Sequence, residues 1–328
     1  MSERSRFLDL PALAALEHMR FTTRHRIEGA YTGRHRSQQQ GGAGEFVDFR
    51  EYVGGEDLRR LDWKVLARSE RAYVRLYQDE TNLVCTLVLD ASGSMRFGGA
   101  SMRFGGASMR FAGRRAGRRA GARTEPERQR GASGSKLEYV QYLATALTHV
   151  ISRQQDQVGL AVVADGLRDF EPPGSTRGHV ARLQEKIEQL DTQPATDFAG
   201  ALRGLYERLK RRGVLLILSD FLVDDLAPLF AAIRLFRHSL WEVIAVHVVH
   251  PEEERLPDGM AYRFEGLENE GTVDCSPADI RTLYAERFAG HAAAVRTMSL
   301  ATGCDYRRAS TAIPYLDTLG EFLVERSG

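Results

Sequence analysis

The sequence is poor in cysteine and has no long apolar run. Its three cysteines, Cys85, Cys275 and Cys304, are odd in number and far apart, which argues against a disulfide scaffold or a thiolate zinc site and favours a reducing compartment. No uninterrupted apolar stretch approaches the ~18 residues that a membrane helix needs. The N-terminus has Asp9 and Pro11 inside its only apolar patch and does not resemble a secretory signal. We therefore expect a cytoplasmic protein without a membrane segment.

Charge is nearly balanced, with a formal net value of +1, but it is unevenly distributed. Residues 95–130 contain ten arginines and two glutamates, a local charge of +8, so the other residues together carry −7. The heptapeptide SMRFGGA begins at Ser94 and again at Ser101, and it decays at Ser108 into SMRFAG. A segment dominated by Gly and Arg buries too little apolar surface to offset its ordering entropy. We predict that residues 96–134 form a disordered insertion.

This insertion has two interpretations. Its arginines favour an anion or nucleic-acid tether, whose affinity would fall steeply with salt. Alternatively, it is a surface expansion without a role, which an exposed loop tolerates at little cost in stability. We favour the second interpretation and do not expect nucleic acid to be the main partner.

Outside the insertion, apolar strands alternate with amphipathic helices. The predicted strands of this region are 83–90, 158–165, 214–220 and 242–250, and the predicted helices are 136–153, 176–190, 197–211 and 224–238. Strands that are apolar on both faces and alternate with helices indicate a parallel sheet covered on two sides. We therefore predict an α/β fold with a doubly wound, mainly parallel sheet and helices on both faces.

The two ends of the chain are expected to differ from this pattern. After Gly166 a short strand can pair antiparallel at the sheet edge. The C-terminal part predicts further elements, namely a hairpin within 261–276, a helix over 278–302, a strand at 304–309 and a short helix after Pro314. Residues 1–80 predict a partly extended region with a short helix over 11–20, in which Trp63 packs against the sheet.

The strongest functional signal directly follows the strand 83–90. Asp90, Ser92 and Ser94 form the pattern Asp-x-Ser-x-Ser, and ligands of open parallel sheets bind beyond the carboxyl ends of the strands. Thr196 and Asp220 fall at two further loops of this kind. A carboxylate with hydroxyls suits a hard divalent cation that keeps several waters. We predict that these five residues hold Mg²⁺, or Mn²⁺ or Ca²⁺ in its place.

Structural interpretations of the same residues remain open. The Asp-x-Ser-x-Ser pattern could be a capped turn, and Asp220 could cap the helix that is predicted to begin at 224. Asp197 could be the N-cap of its own helix, which makes it a weaker candidate ligand. Residues 252–254, three glutamates in a row, are interpreted as a solvated turn.

Enzymatic alternatives find little support. A phosphatase with an Asp90 nucleophile would need a second aspartate two residues later for general acid work, and Ser92 stands there instead. The stretch GASGSK before the helix 136–153 lacks the G-x-x-x-x-G-K-[ST] pattern of a phosphate loop. We expect a protein that is not an enzyme and keep the phosphatase as the weakest alternative.

Two sets of motifs resemble known families. The stretches DASGS, ATDFAGAL and LLILSDF look like the metal-ion-dependent adhesion site (MIDAS) of von Willebrand factor type A (vWA) domains. The stretch 42–68 resembles the bacterial DUF58 family. The residues that carry this second resemblance are Gly42, Gly44, Glu45, Phe46, Arg50, Tyr52, Gly55, Asp57, Arg59, Asp62, Trp63, Lys64, Ala67 and Arg68. Tyr284, Arg287 and GCDYRRAST near the C-terminus fit the same family.

The resemblance implies a DUF58-type extension over 1–80 and a vWA/Rossmann-like domain over 81–328. It makes Ser92, Ser94 and Thr196 the hydroxyl ligands, with Asp90 and Asp220 bound directly or through water. One coordination position would stay open for a water or for a partner's acidic side chain. It also implies a protein partner, either a MoxR-type AAA+ ATPase or its client, and an adaptor or chaperone-like role in complex assembly or maturation.

Overall fold

The computed structural model describes residues 6–23, 45–52, 62–69, 71–78, 83–98, 134–193, 197–256, 262–268 and 271–327. The strands in these ranges are β1 (Glu45–Glu51), β2 (Tyr73–Gln78), β3 (Val84–Asp90), β4 (Gln157–Val163), β5 (Leu167–Gly174), β6 (Val214–Ser219), β7 (Glu242–Val249), β8 (Tyr262–Glu265), β9 (Thr272–Cys275) and β10 (Asp305–Ser310). The α-helices are α1 (Leu10–Leu13), α2 (Trp63–Ser69), α3 (Lys136–Arg153), α4 (Arg177–Glu188), α5 (Phe198–Arg208), α6 (Leu226–His238), α7 (Pro277–Ala301) and α8 (Tyr315–Ser327).

A six-stranded sheet in the order β10-β7-β6-β3-β4-β5 forms the centre of the protein. Its strands pair in parallel, except that β5 runs antiparallel to β4 at the edge. Every residue of β3, β6 and β7 is buried, because these apolar strands are covered on both faces. The predicted mainly parallel sheet is confirmed, and so is its antiparallel edge.

Helices cover the two faces of this sheet. Helices α3, α4 and α8 pack in one apolar cluster, and α5, α6 and α7 contribute to the other. The chain therefore changes faces at β3, and the order in which strands are added reverses there, with β4 on one side of β3 and β6 on the other. This arrangement confirms the doubly wound, vWA/Rossmann-like fold class and places a ligand crevice beyond the carboxyl ends of β3 and β6.

The N-terminal residues 6–23 pack on the α3 face. Phe7 meets the ring of Tyr142 at 4.7 Å between centroids, and Phe21 is fully buried. The Arg326 side chain on α8 donates to the Thr22 carbonyl at 2.6 Å. The domain boundary at residue 80 stays a prediction, but the chain upstream of it contributes to the core of the sheet domain.

Strands β1 and β2 form a separate antiparallel pair, so the predicted extended character of this region is present. The expected packing of Trp63 is wrong, since this side chain is 59% exposed at the start of α2. Among the described residues, no helix is both long and apolar enough to cross a membrane.

The two sides of the predicted insertion are held together. Gly98 pairs with Ser135 in an antiparallel bridge, and the Lys136 amide donates to the Phe97 carbonyl at 2.9 Å. Ser135 is also the N-cap of α3, where its hydroxyl accepts from the Glu138 amide. The predicted disorder over residues 96–134 is wrong at its two ends, because residues 96–98 and 134 are part of the described fold. Residues 99–133 lie outside the described residues. The described residues on either side of this segment thus lie next to each other.

Candidate functional site

The candidate site lies where β3 and β6 end. Asp90 is the last residue of β3, and Ser92 and Ser94 follow in a short 3-10 turn over Gly93–Arg96. Asp220 directly follows β6. These four predicted site residues are buried and meet through hydrogen bonds at the switch point of the sheet.

The Asp90 carboxylate is held from two sides. Its Oδ1 accepts from the Ser92 amide at 2.8 Å, and its Oδ2 accepts from the Ser219 hydroxyl at 2.5 Å. Ser219 accepts in turn from the Phe221 amide at 2.7 Å, which fixes the hydroxyl as a donor toward Asp90. Burial, and next the nearby Asp220 carboxylate, raise the pKa of Asp90 to about 7.

The two serine hydroxyls lie side by side. Ser92 Oγ and Ser94 Oγ are 3.0 Å apart, and the Ser94 side chain also bonds to Asp220. The Ser94 amide donates to Glu268 Oε1 at 3.1 Å. The turn therefore presents two neighbouring hydroxyl oxygens, and its Ser94 amide is already bonded to a carboxylate.

A buried ammonium group completes the cluster. The Lys136 side chain is fully buried at the start of α3, and its Nζ lies 2.5 Å from Asp220 Oδ2. The same Nζ makes an ion pair with Glu253. The interpretation of 252–254 as a solvated turn is wrong for Glu253, which is buried because it ends the turn after β7 beneath Lys136.

If all of its carboxyl groups are ionised, the charges of this cluster do not cancel. Asp90, Asp220 and Glu253 supply three buried carboxyl groups, and Lys136 supplies one ammonium. Burial would raise the pKa of Asp220, but the Lys136 ammonium holds it below its usual value. Burial raises the pKa of Glu253 despite Lys136. In the part of the chain that the structure describes, Lys136 makes the ion pairs of this cluster and none reaches Asp90.

The sequence also predicted roles for Thr196, Asp197 and Asp220 at or near the site. Thr196 lies outside the described residues. Asp197 is the N-cap of α5, where its Oδ1 accepts from the Gly200 amide at 2.9 Å, as one of the two interpretations had it. Asp220 does not cap the next helix, because Asp225 does so. Instead its Oδ1 accepts from the Leu222 amide at 3.0 Å.

An open cavity of about 490 Å³ leads to the site. Its lining includes Ser94, Glu268, Asp197, Asp224 and Asp225. A ligand can therefore reach the Ser94 end of the cluster from solvent.

A comparison with known families decides which family this chain belongs to. The model described as "Protein of unknown function DUF58" matches residues 48–129 and 123–294, well over half of the chain. The chain belongs to the DUF58 family.

This DUF58 protein has uncharacterized relatives in mycobacteria. The uncharacterized protein Rv1480 of Mycobacterium tuberculosis and the uncharacterized protein Mb1516 of Mycobacterium bovis are each 29% identical to it over 258 residues. Each alignment covers 76% of this chain and 69% of the relative.

Solved structures are more distant from the DUF58 protein. A conserved hypothetical protein, BatB of Bacteroides thetaiotaomicron, is 13% identical, with a TM-score of 0.44 over 75% of this chain and 99% of that one. The SpRpn10 VWA domain is 8% identical, with a TM-score of 0.36 over 73% and 94% of the two chains. The fold assignment therefore rests on the sheet order and strand directions.

The donor set of the DUF58 protein fits a hard cation and no soft one. Among the described residues, no three His, Cys, Asp or Glu side chains gather into a metal site. A cation here would depend on Asp90 together with the Ser92 and Ser94 hydroxyls and on water, which suits Mg²⁺. Both Asp220 oxygens already have donors, so Asp220 would act on the cation through Ser94 or water.

Sequence reasoning missed Lys136 and Glu253. Glu253 could have been found by the rule that placed Asp220, namely that the carboxyl ends of parallel strands lie at one edge of the sheet. Glu253 follows β7, and β7 is the neighbour of β6 in the sheet. Lys136 carried a weaker signal, namely a lysine at the first turn of a helix, where a positive charge is unfavourable unless a carboxylate lies nearby.

Proposed function

We propose that this DUF58 protein is a non-catalytic module that binds a protein partner through a divalent metal held by Asp90, Ser92 and Ser94. The observation that carries the proposal is the charge imbalance of the cluster. Three buried carboxyl groups face one ammonium, and buried charges are costly unless they are paired or coordinate a metal. A cation beside Asp90 supplies the missing positive charge.

The oxygen ligands determine which cation suits the site. One carboxylate and two hydroxyls leave several coordination positions for water, which Mg²⁺ keeps readily, and Mn²⁺ or Ca²⁺ are the substitutes. Thr196, adjacent to the α5 N-cap, is the further hydroxyl ligand that we assign to this site. When bound, the metal offers an open coordination position that a partner's carboxylate can take through the cavity beside Ser94.

The partner class that we propose is a MoxR-type AAA+ ATPase or its client, with the DUF58 protein acting as an adaptor in complex assembly or maturation. We place the protein in the cytoplasm, in keeping with three cysteines that are all free.

The test is a pull-down with the purified MoxR-type ATPase of the same genome. Wild type and Asp90→Ala are compared with Mg²⁺ and with EDTA, and Asp191→Ala, a substitution on the protein surface, is the matched control. We expect recovery of the ATPase only for wild type and control in Mg²⁺. Equal recovery under all conditions would refute metal-mediated binding.

A further inference from the structure

A second cavity, of about 270 Å³, lies between α3, α8 and the sheet. It shares no lining residue with the cavity beside Ser94. Five apolar side chains line it, and all of them belong to the apolar cluster on this face of the sheet. We call them the apolar floor, which consists of Leu143 and Leu147 on α3, Leu216 on β6, Val246 on β7 and Phe322 on α8. The cavity is thus an opening into the core of the protein.

The sequence of α8 explains why this space is open. A helix that covers a sheet usually turns an apolar stripe toward it. The residues of α8 that line the cavity lie on one face of the helix, at Thr318, Glu321, Phe322 and Glu325, and three of these four side chains are polar. The helix therefore does not close over the sheet at this place.

An apolar cavity of this kind is unfavourable when it is empty. Protein interiors are packed as densely as organic crystals, and an unfilled space lowers stability in proportion to its volume. Water is a poor occupant, because a buried water needs roughly two to four polar partners and the apolar floor supplies none. Since an apolar cavity of about 150 Å³ binds benzene, a cavity of 270 Å³ suits a body of about ten carbon atoms.

One polar atom of the cavity wall has an unmet need. Arg307 lines the cavity from β10, and its buried Nε–H has no hydrogen-bond acceptor among the described residues. Asp305 Oδ1 is 3.5 Å from this nitrogen, beyond the roughly 2.7–3.2 Å of such a bond. A buried donor without an acceptor is costly. An oxygen atom of a ligand in the cavity would supply that acceptor.

The charges around the cavity disfavour a charged ligand. Arg307 forms an ion pair with Glu325, and Arg308 forms one with Glu254. Glu321 also lines the cavity and makes no ion pair with a described residue, so the lining has an unbalanced negative charge that repels an anion. A cation would satisfy Glu321 but would leave the Arg307 Nε–H without its acceptor.

We propose that this cavity binds a small uncharged amphiphile, whose apolar body of about ten carbon atoms lies on the apolar floor and whose carbonyl or hydroxyl oxygen accepts from Arg307 Nε. Fatty amides, alcohols and phenols have this chemistry. The inference goes beyond the proposed function and does not depend on it, because the metal site contributes no residue to this cavity.

The probe is octanamide, and octanoate and octylamine are its charged counterparts. Methyl NMR signals of the full chain follow each titration. We expect octanamide to shift the Leu143, Leu147, Leu216 and Val246 signals in a saturable way, and to bind at least about tenfold more tightly than either charged molecule, because burial of a charge is costly. Folded wild type without saturable shifts would overturn the proposal. Octanoate or octylamine binding as tightly as octanamide would refute the uncharged ligand.

The place of binding is tested by Leu147→Phe, which adds volume inside the cavity. We expect this variant to bind octanamide at least about tenfold more weakly, because a filled space leaves no room for the ligand. The matched control is Leu137→Phe, on the same helix but outside the lining, which should bind as wild type does. Wild-type affinity in Leu147→Phe would refute this location.

The contact with the ligand oxygen is tested by Arg307→Lys. Lysine keeps a cation for Glu325 but has no Nε–H, so we expect about tenfold weaker octanamide binding from the lost hydrogen bond. This variant decides the question even if Leu147→Phe does not fold. Wild-type affinity in Arg307→Lys would refute the bond to Arg307 Nε, and with it the assigned ligand class.

Discussion

The Lys136 ammonium lies 2.5 Å from Asp220 Oδ2, and both side chains are buried at the carboxyl end of the central sheet. Lys136 begins α3, immediately after the arginine-rich insertion, and Asp220 directly follows β6, a neighbour of β3 in the sheet. Helix α3 is thereby fixed to the switch point by a charge pair. The same pair takes one Asp220 oxygen away from any cation that binds there.

Replacing Lys136 with Met should destabilise the fold strongly. The substitution leaves the Asp220 and Glu253 carboxylates buried without their ammonium, and breaking a buried ion pair costs about 3–5 kcal/mol of unfolding free energy. Urea denaturation at pH 7 measures this loss.

The control for this prediction is Lys186→Met. Lys186 pairs with Asp169 at 2.8 Å near the surface, where such a pair contributes about 1 kcal/mol or less. Similar losses in the two variants would show that the Lys136 cluster has no special role in stability.

Asp156 makes stability depend on pH. Its Oδ1 accepts from the Leu83 amide at 2.8 Å just before β3, and burial raises its pKa from 3.8 to about 7. Because the folded state favours the protonated form, the stabilising contribution of Asp156 is complete below about pH 4 and is lost as the pH rises through 7.

Asn at position 156 keeps an acceptor for the Leu83 amide and carries no charge. We therefore expect Asp156→Asn to be more stable than wild type at pH 8, with a smaller difference at pH 5. Denaturation curves at the two pH values, with Asp279→Asn on the surface of α7 as the control, measure the effect. A difference that is the same at both pH values would contradict the account.

Local pattern was enough to predict the sheet and the first half of the site. The strand before Asp90 is apolar on both faces, and Asp90, Ser92 and Ser94 are adjacent in sequence, so chain connectivity alone brings them together. Helix α3 was predicted with its observed bounds because its apolar spacing is regular.

Contacts between residues that are far apart in the chain could not be predicted from the sequence. Lys136 and Glu253 are 117 residues apart, and Ser94 and Glu268 are 174 apart, so no local spacing joins them. The burial of Phe21 likewise depends on Arg326, whose guanidinium lies 5.0 Å from the Phe21 ring. The prediction that Trp63 packs against the sheet was wrong for a different reason. An aromatic residue at the start of a helix does not show by itself whether another element covers it.

Removal of the insertion should be tolerated. Gly98 and Ser135 already pair, so deleting residues 99–133 and bridging Gly98 to Gly134 with a short Gly-Ser linker leaves the flanking contacts in place. The free-energy cost of closing a loop changes by only about 0.6 kcal/mol for each doubling of its length. We therefore expect the melting temperature to change by a few degrees at most.

The same deletion tests the nucleic-acid alternative. Removing nearly all of the +8 charge should abolish any salt-sensitive binding of duplex DNA in a band-shift assay. DNA binding that persists in the deletion variant would place it elsewhere on the protein. A large drop in melting temperature would show that residues 99–133 support the fold.

The most direct test of the central claim is calorimetric titration of wild type and Asp90→Asn with Mg²⁺ and Mn²⁺. Asn keeps an acceptor for the Ser92 amide but removes the one carboxylate of the cluster that no ammonium reaches among the described residues. We expect one ion per wild-type chain and affinity at least about a hundredfold lower in the variant, since loss of a ligand should exceed the loss of an outer contact. Equal binding in the two proteins, or no binding by folded wild type, would contradict a metal site at Asp90.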